Sequence, residues 1–325
     1  MKIFTPFNST NMVNSLINAG ADELFCGVVY KRWNERFGKD VELNRRSSAG
    51  ASANLTSMEE LAEAIAMAHK LGKRLFLTLN HHQYTNTQLP YIKELMAELK
   101  TIGGDGIIVA DLNVLEMGKE IGLKVAVSTV LNVYNAETVK LLKDMGADRI
   151  ILSRDISLED IRRIREKVSD IEIEVFMLNA PCKFSDSMCL TLHNTQWGNF
   201  CRFLNQSDYR YHRFDTKEMS FEEEHTLHLN NFYYHRFFMQ RACGICAIWR
   251  LLQYKIDACK VVGRFEAVKK VVEDTKMIRQ NIEIAKNCKT EIEYIEKIVN
   301  PFVELDKCRW GYQCYFPEIR GYSGE

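Results

Sequence analysis

The chain has 325 residues, of which 46% are hydrophobic and 26% are charged. This length and composition can bury a large core, and they exclude the disordered, fibrous and small disulfide-rich classes of protein. The 43 basic and 43 acidic side chains give a formal net charge of zero. No overall field therefore attracts nucleic acid or acidic membranes, and any such contact has to be local.

The opening segment MKIFTPFNST lacks an apolar signal sequence, and no window approaches about 18 uninterrupted apolar residues. We therefore expect a soluble, cytoplasmic protein without a membrane contact. In a reducing compartment the ten cysteines bind metal, react or fill core space, and a disulfide framework is not expected. Cys26 and Cys259 stand in apolar strands, which favours ordinary core positions for both.

A unit repeats along the first half of the chain, in which a helix ends at a glycine and an apolar strand follows. The unit occurs at 18–28, 70–80, 101–111, 120–129 and 144–155. A glycine cap followed by a β-branched run is typical of the loop between a helix and a strand. The intervening segments 57–70, 89–100, 135–145 and 157–168 carry apolar residues at helical spacing, so each is predicted to be an amphipathic helix.

Eight apolar strands are predicted, namely IFTPF, ELFCGVV, RLFLTLN, GIIVA, KVAVST, RIILSR, IEIEVFML and ACKVVGR, with a possible short extra strand at SANLT (52–56). Apolar strands separated by helices favour a closed TIM-like (β/α)8 barrel over an antiparallel sheet. A doubly wound open sheet is the alternative. Polar residues gather where the strands end: Asn80, His81, His82, Asp111, Ser128, Thr129, Arg154, Asp155, Asn179 and Arg264. That asymmetry predicts a site at one face of the barrel.

Three cysteines follow the strand IEIEVFML within one loop, Cys182, Cys189 and Cys201, and Cys243 returns after a long insert. If the insert loops back, four soft sulfur ligands converge at the end of one strand. Thiolates suit both an iron–sulfur cluster and zinc, so the ligand type alone does not choose between these two metals.

The stretch EVFMLNAPCKFSDSMC resembles the signature of the peptidase U32, or collagenase-like protease, family. The resemblance extends to VSTVLNVYNAETVKLLKDMGADRIILSRDISLEDI upstream and to CGICAIWRLLQYKIDACKVVGR downstream, and it covers roughly residues 1 to 285. It implies a TIM-like barrel. Several members of the family hold a [4Fe–4S] cluster through four cysteines. The resemblance implies that the ligands in this chain are Cys182, Cys189, Cys201 and Cys243. Such members serve in hydroxylation of ubiquinone precursors, tRNA or rRNA, whereas the older label is protease.

The chain departs from the family pattern at several positions: Val130, Asp155, Asn179, Ser187, Leu192 and Val262. Many members carry two cysteines before the arginine that corresponds to Arg202, and this chain has only Cys201. Cys246 forms a Cys-x-x-Cys pair with Cys243 and is an alternative ligand. Cys308 and Cys314 in the tail form a second candidate pair. The resemblance therefore indicates the substrate less specifically than it indicates the fold or the cluster.

The insert at 203–242 repeats one motif, as Tyr211-His212-Arg213-Phe214 and as Tyr234-His235-Arg236-Phe237. Arginine interleaved with aromatic residues can stack on bases or on an aromatic substrate. The alternative is a pair of strands that covers the cluster from water.

Four residues at strand ends are candidates for catalysis. His81 and His82 could act as acid, base or metal ligand, or could hydrogen-bond locally. Arg154 and Asp155 could hold a substrate carboxylate through the guanidinium, or could form an ion pair at the rim. Arg45 and Arg46 lie in a Gly/Ser/Ala-rich loop that either closes over a ligand or is simply solvated.

The predicted organisation is a barrel over 1–286, which contains the insert at 203–242, and an extension over 287–325. The first functional hypothesis is an iron–sulfur oxidoreductase that inserts oxygen into a small molecule or an RNA. The second is a peptidase of the U32 type, although no Gly-x-Ser-x-Gly or His-Glu-x-x-His motif is present. The third is a non-catalytic iron–sulfur or zinc scaffold that acts in a homo- or hetero-oligomer.

Overall fold

The computed structural model describes residues 1–38, 41–179, 186–188, 220, 242–300 and 314–320. Several predictions fall outside these residues: Cys182, Cys189, Cys201, Cys308 and both copies of the Tyr-His-Arg-Phe motif. Among the helices that belong to the described ranges, none combines the length and the apolar character that crossing a bilayer requires.

Eight parallel strands form a closed barrel in which each strand pairs with its neighbours in chain order and the last pairs with the first. The strands are β1 (Lys2–Pro6), β2 (Glu23–Cys26), β3 (Arg74–Leu79), β4 (Gly106–Val109), β5 (Lys124–Val127), β6 (Arg149–Ile151), β7 (Glu172–Leu178) and β8 (Ala258–Val261). The TIM-like barrel prediction is confirmed. The alternative of an open sheet is wrong, because β1 and β8 pair in register at Ile3 and Cys259 and leave no open edge.

Ten α-helices lie in the described ranges: α1 (Val13–Asn18), α2 (Lys31–Phe37), α3 (Met58–Lys70), α4 (Leu89–Thr101), α5 (Leu112–Ile121), α6 (Ala136–Asp144), α7 (Leu158–Lys167), α8 (Ile248–Gln253), α9 (Val268–Lys286) and α10 (Glu291–Lys297). The four helices predicted from apolar spacing are α3, α4, α6 and α7, and all four are confirmed. Three of them begin at a capping side chain, because Ser57, Asn135 and Ser157 each accept a hydrogen bond from a backbone N–H of the first turn.

Short 3-10 helices complete the described structure at Thr10–Met12, Ser47–Ser52, Thr129–Leu131, Asp186–Met188, Ile245–Ala247 and Pro317–Arg320. The possible extra strand at 52–56 is wrong. The segment leaves a 3-10 helix and makes one isolated bridge, from Leu55 to Val28. Because β2 pairs directly with β3, as at Leu24 and Leu75, the barrel offers no edge where a ninth strand could add.

Alternate residues of the strands point outward to the helices and inward to the barrel axis. Cys26 on β2 and Cys259 on β8 are completely buried, as expected for core cysteines. Burial raises the pKa of the Cys259 thiol to about 12 and raises that of Cys26 further. These two thiols are therefore protonated packing groups at neutral pH.

The inward residues include an ion network that is buried in the lower half of the barrel. The guanidinium of Arg149 on β6 forms ion pairs with three carboxylates. Its nitrogen atoms lie 2.6 Å from an oxygen of Glu23 and 3.0 Å from an oxygen of Glu174, and it also pairs with Glu172. Burial opposes the charge of Arg149, but the three carboxylates together raise its pKa. Arg149 in turn lowers the pKa of Glu172 to about 2 against the opposing effect of burial. Arg149 and Glu172 are thus both ionised at neutral pH.

The segment after the barrel folds back onto α8 and α9. The Tyr294 hydroxyl on α10 donates to the Ile245 carbonyl at 2.7 Å, and Trp249 of α8 donates to the Cys288 carbonyl at 3.2 Å. The side chain of Asn281 on α9 binds the backbone of Val299 through both its carbonyl and its amide. Residues 287–300 therefore pack against the elements that flank β8 and bring Asn300 toward the end of β7.

Candidate functional site

The segment that carries Cys243 returns to the carboxyl end of β7. Asn179 donates its backbone N–H to the Ala242 carbonyl at 2.8 Å, and Gly244 donates to the Met177 carbonyl at 2.8 Å. Cys243 itself forms an antiparallel bridge with Leu178. The backbone therefore holds Cys243 next to the start of the loop in which Cys182, Cys189 and Cys201 occur in the sequence.

The sulfur of Cys243 is buried and accepts a hydrogen bond. The Cys243 side chain is 6% exposed, and the side-chain amide of Asn300 lies 3.6 Å from its Sγ atom. An N–H group directed at sulfur stabilises the anionic thiolate, which is the form that binds metal. The environment of Cys243 thus fits a metal-bound thiolate.

Two further thiols share a neighbour with Cys243. Cys246 and Cys288 are both buried, and both lie, like Cys243, near the hydroxyl of Tyr294. Burial is the main cause that raises the pKa of Tyr294, so this hydroxyl stays neutral and serves as a hydrogen-bond donor. Cys246, the alternative ligand, is therefore next to the candidate site.

Cys314 from the tail also lies beside Cys243, which the sequence did not indicate. The two residues form a parallel bridge, and Tyr315 donates its backbone N–H to the Cys243 carbonyl at 2.9 Å. The Tyr315 hydroxyl donates to the Asn179 carbonyl. The tail segment 314–320 is thus attached to the same strand end, and Cys314 belongs to the surroundings of Cys243.

The described residues alone do not assemble a complete metal site. Within the described ranges, no group of three His, Cys, Asp or Glu side chains is arranged to hold a metal ion. The predicted set includes Cys182, Cys189 and Cys201, which lie outside those ranges, so the convergence of the four sulfurs stays a prediction.

The candidate catalytic residues have separate partners at the mouth of the barrel. Nδ1 of His81 is 2.8 Å from the Gln83 carbonyl, and the rings of His81 and His82 are 6.3 Å apart. Arg154 pairs with Asp186 at 2.7 Å, whereas Asp155 accepts a hydrogen bond from the Tyr134 hydroxyl at 2.5 Å. The two neighbours Arg154 and Asp155 are therefore engaged by different parts of the rim.

Arg154 also lies against an aromatic ring. Its guanidinium carbon is 4.1 Å from the centroid of the Phe176 ring, which is the stacked geometry that arginine adopts on aromatic faces. Phe176 is on β7, three residues before Asn179, and its ring is 6.1 Å from that of Tyr315. Arg154 and Phe176 thus form part of the mouth on the side of Cys243.

Lys260 on β8 is a buried amine inside the barrel. It pairs with Glu174 at 2.9 Å, and its Nζ atom lies 4.1 Å and 4.0 Å from the ring centroids of Phe4 and Phe25. Burial lowers the pKa of Lys260 to about 8 even though Glu174 acts in the opposite direction. A fraction of this amine is therefore neutral slightly above physiological pH.

Comparison with known proteins gives relatives that bear two kinds of name. The chain is 32% identical over 193 residues to an uncharacterized protease of Methanocaldococcus jannaschii, an alignment that covers 58% of this chain and 43% of that protein. It is 25% identical over 321 residues to tRNA hydroxylation protein P1 of Bacillus subtilis, which covers 94% of this chain and 68% of that protein.

A third relative is a 23S rRNA 5-hydroxycytidine synthase of Escherichia coli, 31% identical over 145 residues, with 44% of this chain and 22% of that protein aligned. The chain spans about half the length of the relatives that match it first. The profile of peptidase family U32 matches residues 8–319. This match runs from just after β1 through the cysteine segment to six residues before the end of the sequence, and the chain belongs to peptidase family U32.

Proposed function

We propose that this chain takes part in the hydroxylation of an RNA nucleoside and that Cys182, Cys189, Cys201 and Cys243 hold a [4Fe–4S] cluster. The proposal is supported by likeness over 94% of the chain to a tRNA hydroxylation protein. The likeness to a 5-hydroxycytidine synthase for 23S rRNA points to the same class of reaction. Because tRNA is the substrate class that the longer alignment favours, a cytoplasmic location is part of the proposal.

The observation that carries the proposal is the position of Cys243. Its backbone is paired to the end of β7, and its sulfur accepts the Asn300 amide at 3.6 Å. A thiol used only for packing does not need an N–H donor, whereas a thiolate ligand is stabilised by one. When bound, the cluster would supply one-electron transfer at the mouth of the barrel.

The residues of the chain itself would bind the substrate and exclude water. The stacked pair Arg154 and Phe176 presents a cationic and an aromatic surface, which suits a base or a phosphate of an RNA loop. Asp186 keeps the guanidinium of Arg154 in place through its 2.7 Å contact. His81 and His82 lie on the same rim and are candidates for proton transfer.

The metal part of the proposal is tested by analysis of anaerobically purified protein. We expect about four irons and four sulfides per chain and a broad absorption band from thiolate–iron bonds. Cys182→Ala, Cys189→Ala and Cys243→Ala should lose most of both. Cys259→Ala is the matched control, because Cys259 is a fully buried outward thiol of β8. Protein that contains only zinc, or iron that survives the first three substitutions, would contradict the ligand assignment.

The RNA part is tested separately in cells. Total tRNA and rRNA from a strain that lacks the gene should lose a nucleoside heavier by one oxygen atom, as measured by nucleoside mass spectrometry. Wild-type protein and the Cys259→Ala variant should restore that nucleoside, and Cys243→Ala should not. If the nucleosides are unchanged and the purified chain cleaves peptides, the peptidase hypothesis replaces this one. If neither activity is found and the cluster is present, a scaffold role replaces it.

A further inference from the structure

A buried arginine lies at the mouth of the barrel, on the side of β2 and β3. Arg264 follows β8, and its side chain reaches across the mouth with only 9% of the residue exposed. Its Nη1 atom donates to the Thr78 hydroxyl at 3.0 Å and to Oδ1 of Asn54 at 3.3 Å. Its Nη2 atom donates to Oδ1 of Asn44 at 3.1 Å. All three partners are neutral and almost completely buried.

No carboxylate in the described part of the chain contacts the guanidinium of Arg264 directly. No Asp or Glu oxygen of those residues is within 4.0 Å of its guanidinium, whereas Arg45, beside Asn44, pairs with Glu42 at 3.7 Å. Among the charged groups that act on Arg264, Arg46 has the largest effect and lowers its pKa, whereas the buried carboxylate of Glu42 raises it to a smaller extent. Burial, and second the positive charge of Arg46, lower the pKa of Arg264 to about 9, so the guanidinium remains charged at neutral pH.

The guanidinium of Arg264 has more N–H donors than its three contacts use. A guanidinium carries five N–H donors, and the contacts to Thr78, Asn54 and Asn44 use three of them. Within the described ranges, the N–H of Nε and the second N–H of Nη2 have no acceptor. These two groups suit the two oxygens of one carboxylate or phosphate.

The side-chain amides of Asn54 and Asn44 are held in fixed orientations, and because they are neutral they do not replace a counter-ion. The Asn54 amide donates to the carbonyls of Arg46 and Gly50 at 2.8 and 2.9 Å, which turns its Oδ1 toward Arg264. The Asn44 amide donates to Oδ1 of Asn54 at 3.1 Å. Both asparagines therefore offer oxygen dipoles that orient the guanidinium without neutralising its charge.

The backbone approaches this group closely at Gly27. A Cβ atom added to Gly27 would lie 2.0 Å from Oδ1 of Asn54 and 2.5 Å from Nη1 of Arg264. Only a glycine leaves room for the side chains at this point. The guanidinium is thus held in one position before any ligand arrives, which reduces the entropy lost on binding.

A buried charge is normally paired, because removing an ion from water is costly unless an opposite charge replaces the solvent. We propose that the mouth of the barrel beside Arg264 and Arg46 binds a single oxyanion, the carboxylate or phosphate group of a small organic molecule. The depth of the site favours a small molecule over a nucleic-acid backbone, since the three neutral partners are nearly inaccessible and a polymer could not reach them. The proposal concerns binding only and does not depend on the cluster or on RNA hydroxylation.

The test is a thermal-shift and calorimetric titration of the full-length protein with succinate, with inorganic phosphate and with chloride at matched ionic strength. We expect succinate or phosphate to raise the melting temperature above the effect of chloride, and the more effective of the two identifies the group. Arg264→Gln should weaken that binding at least about tenfold, because charge-assisted hydrogen bonds are lost. Arg46→Gln should weaken it about threefold, since only a neighbouring charge is removed.

Two further variants keep the test decisive. Arg264→Lys retains the charge and should bind more weakly than wild type because it lacks the planar fork. Arg250→Gln removes a surface arginine that pairs with Glu291, and it should leave binding unchanged. If Arg264→Gln does not fold, the ranking of wild type, Arg264→Lys and Arg46→Gln still decides the matter. Equal effects of all three salts on wild type, full binding by the folded Arg264 variants, or binding of RNA alone would each overturn the proposal.

Discussion

Replacing Lys260 by methionine should change how the stability of the barrel depends on pH. Lys260 is buried between the rings of Phe4 and Phe25, at 4.1 and 4.0 Å from their centroids. Burial lowers its pKa from the ordinary 10.5 to about 8. Since each pKa unit corresponds to about 1.4 kcal/mol, the charged form of Lys260 is disfavoured in the folded state by about 3 kcal/mol.

The sign of the effect follows from the protons bound in each state. At pH values below about 8 the lysine is protonated both folded and unfolded, so the full penalty acts on the folded state. Between about 8 and 10.5 the unfolded chain binds more protons than the folded chain, and the free energy of unfolding rises with pH. Above 10.5 both states are neutral at this position and the penalty is absent.

The measurement is urea denaturation of wild type and Lys260→Met across this range. The variant keeps a long apolar side chain between the two rings, and Glu174 keeps Arg149 as a partner at 3.0 Å. The free energy of unfolding of the variant minus that of wild type should fall by about 3 kcal/mol from neutral pH to the upper end of the range. Lys70→Met, at the exposed end of α3, serves as the control for removing a surface lysine. A difference that stays constant with pH would refute the reasoning.

Three other changes test parts of the structure. Glu174→Gln should lower the free energy of unfolding by about 3 kcal/mol in urea denaturation, because it removes a carboxylate buried between two cations, and the loss should shrink in the Lys260→Met background. Ser57→Ala should cost about 1 kcal/mol in the same assay, since the cap of α3 is lost. Asn300→Ala should leave the iron content intact but shift the reduction potential of the proposed cluster to more negative values in redox titration, because the N–H donor to Cys243 is removed.

The barrel could be predicted from the sequence because its signals are local. A glycine cap followed by an apolar strand marks the start of five strands, apolar runs mark the other three, and apolar spacing marks four helices. The prediction of a strand at 52–56 was wrong because a short polar-apolar run has the composition of a strand whether or not it pairs. Whether it pairs depends on a free sheet edge, which is a property of the closed barrel and not of the segment.

The ion network inside the barrel had no comparable local signal. Glu172 and Glu174 alternate within β7, but their partners Arg149 and Lys260 come from two other strands, and Glu23, which also pairs with Arg149, comes from a third. Only the register of the closed barrel brings them together. The same reason explains why Cys314 was not grouped with Cys243, since a tail residue joins the site through one backbone bridge that no spacing rule encodes.

The end of β7 connects the two proposed sites through backbone pairing. Leu178 bridges to Cys243, and its carbonyl also accepts the N–H of Val262, two residues before Arg264, at 3.1 Å. The pairing of β7 with β8 shifts register between Phe176 and Leu178, where both connections begin. Because main-chain hydrogen bonds fix both positions, removing the Arg264 side chain should not displace Cys243. Anion binding and iron content should therefore change independently in single and double variants, and a coupled loss would mean that the two groups share one ligand.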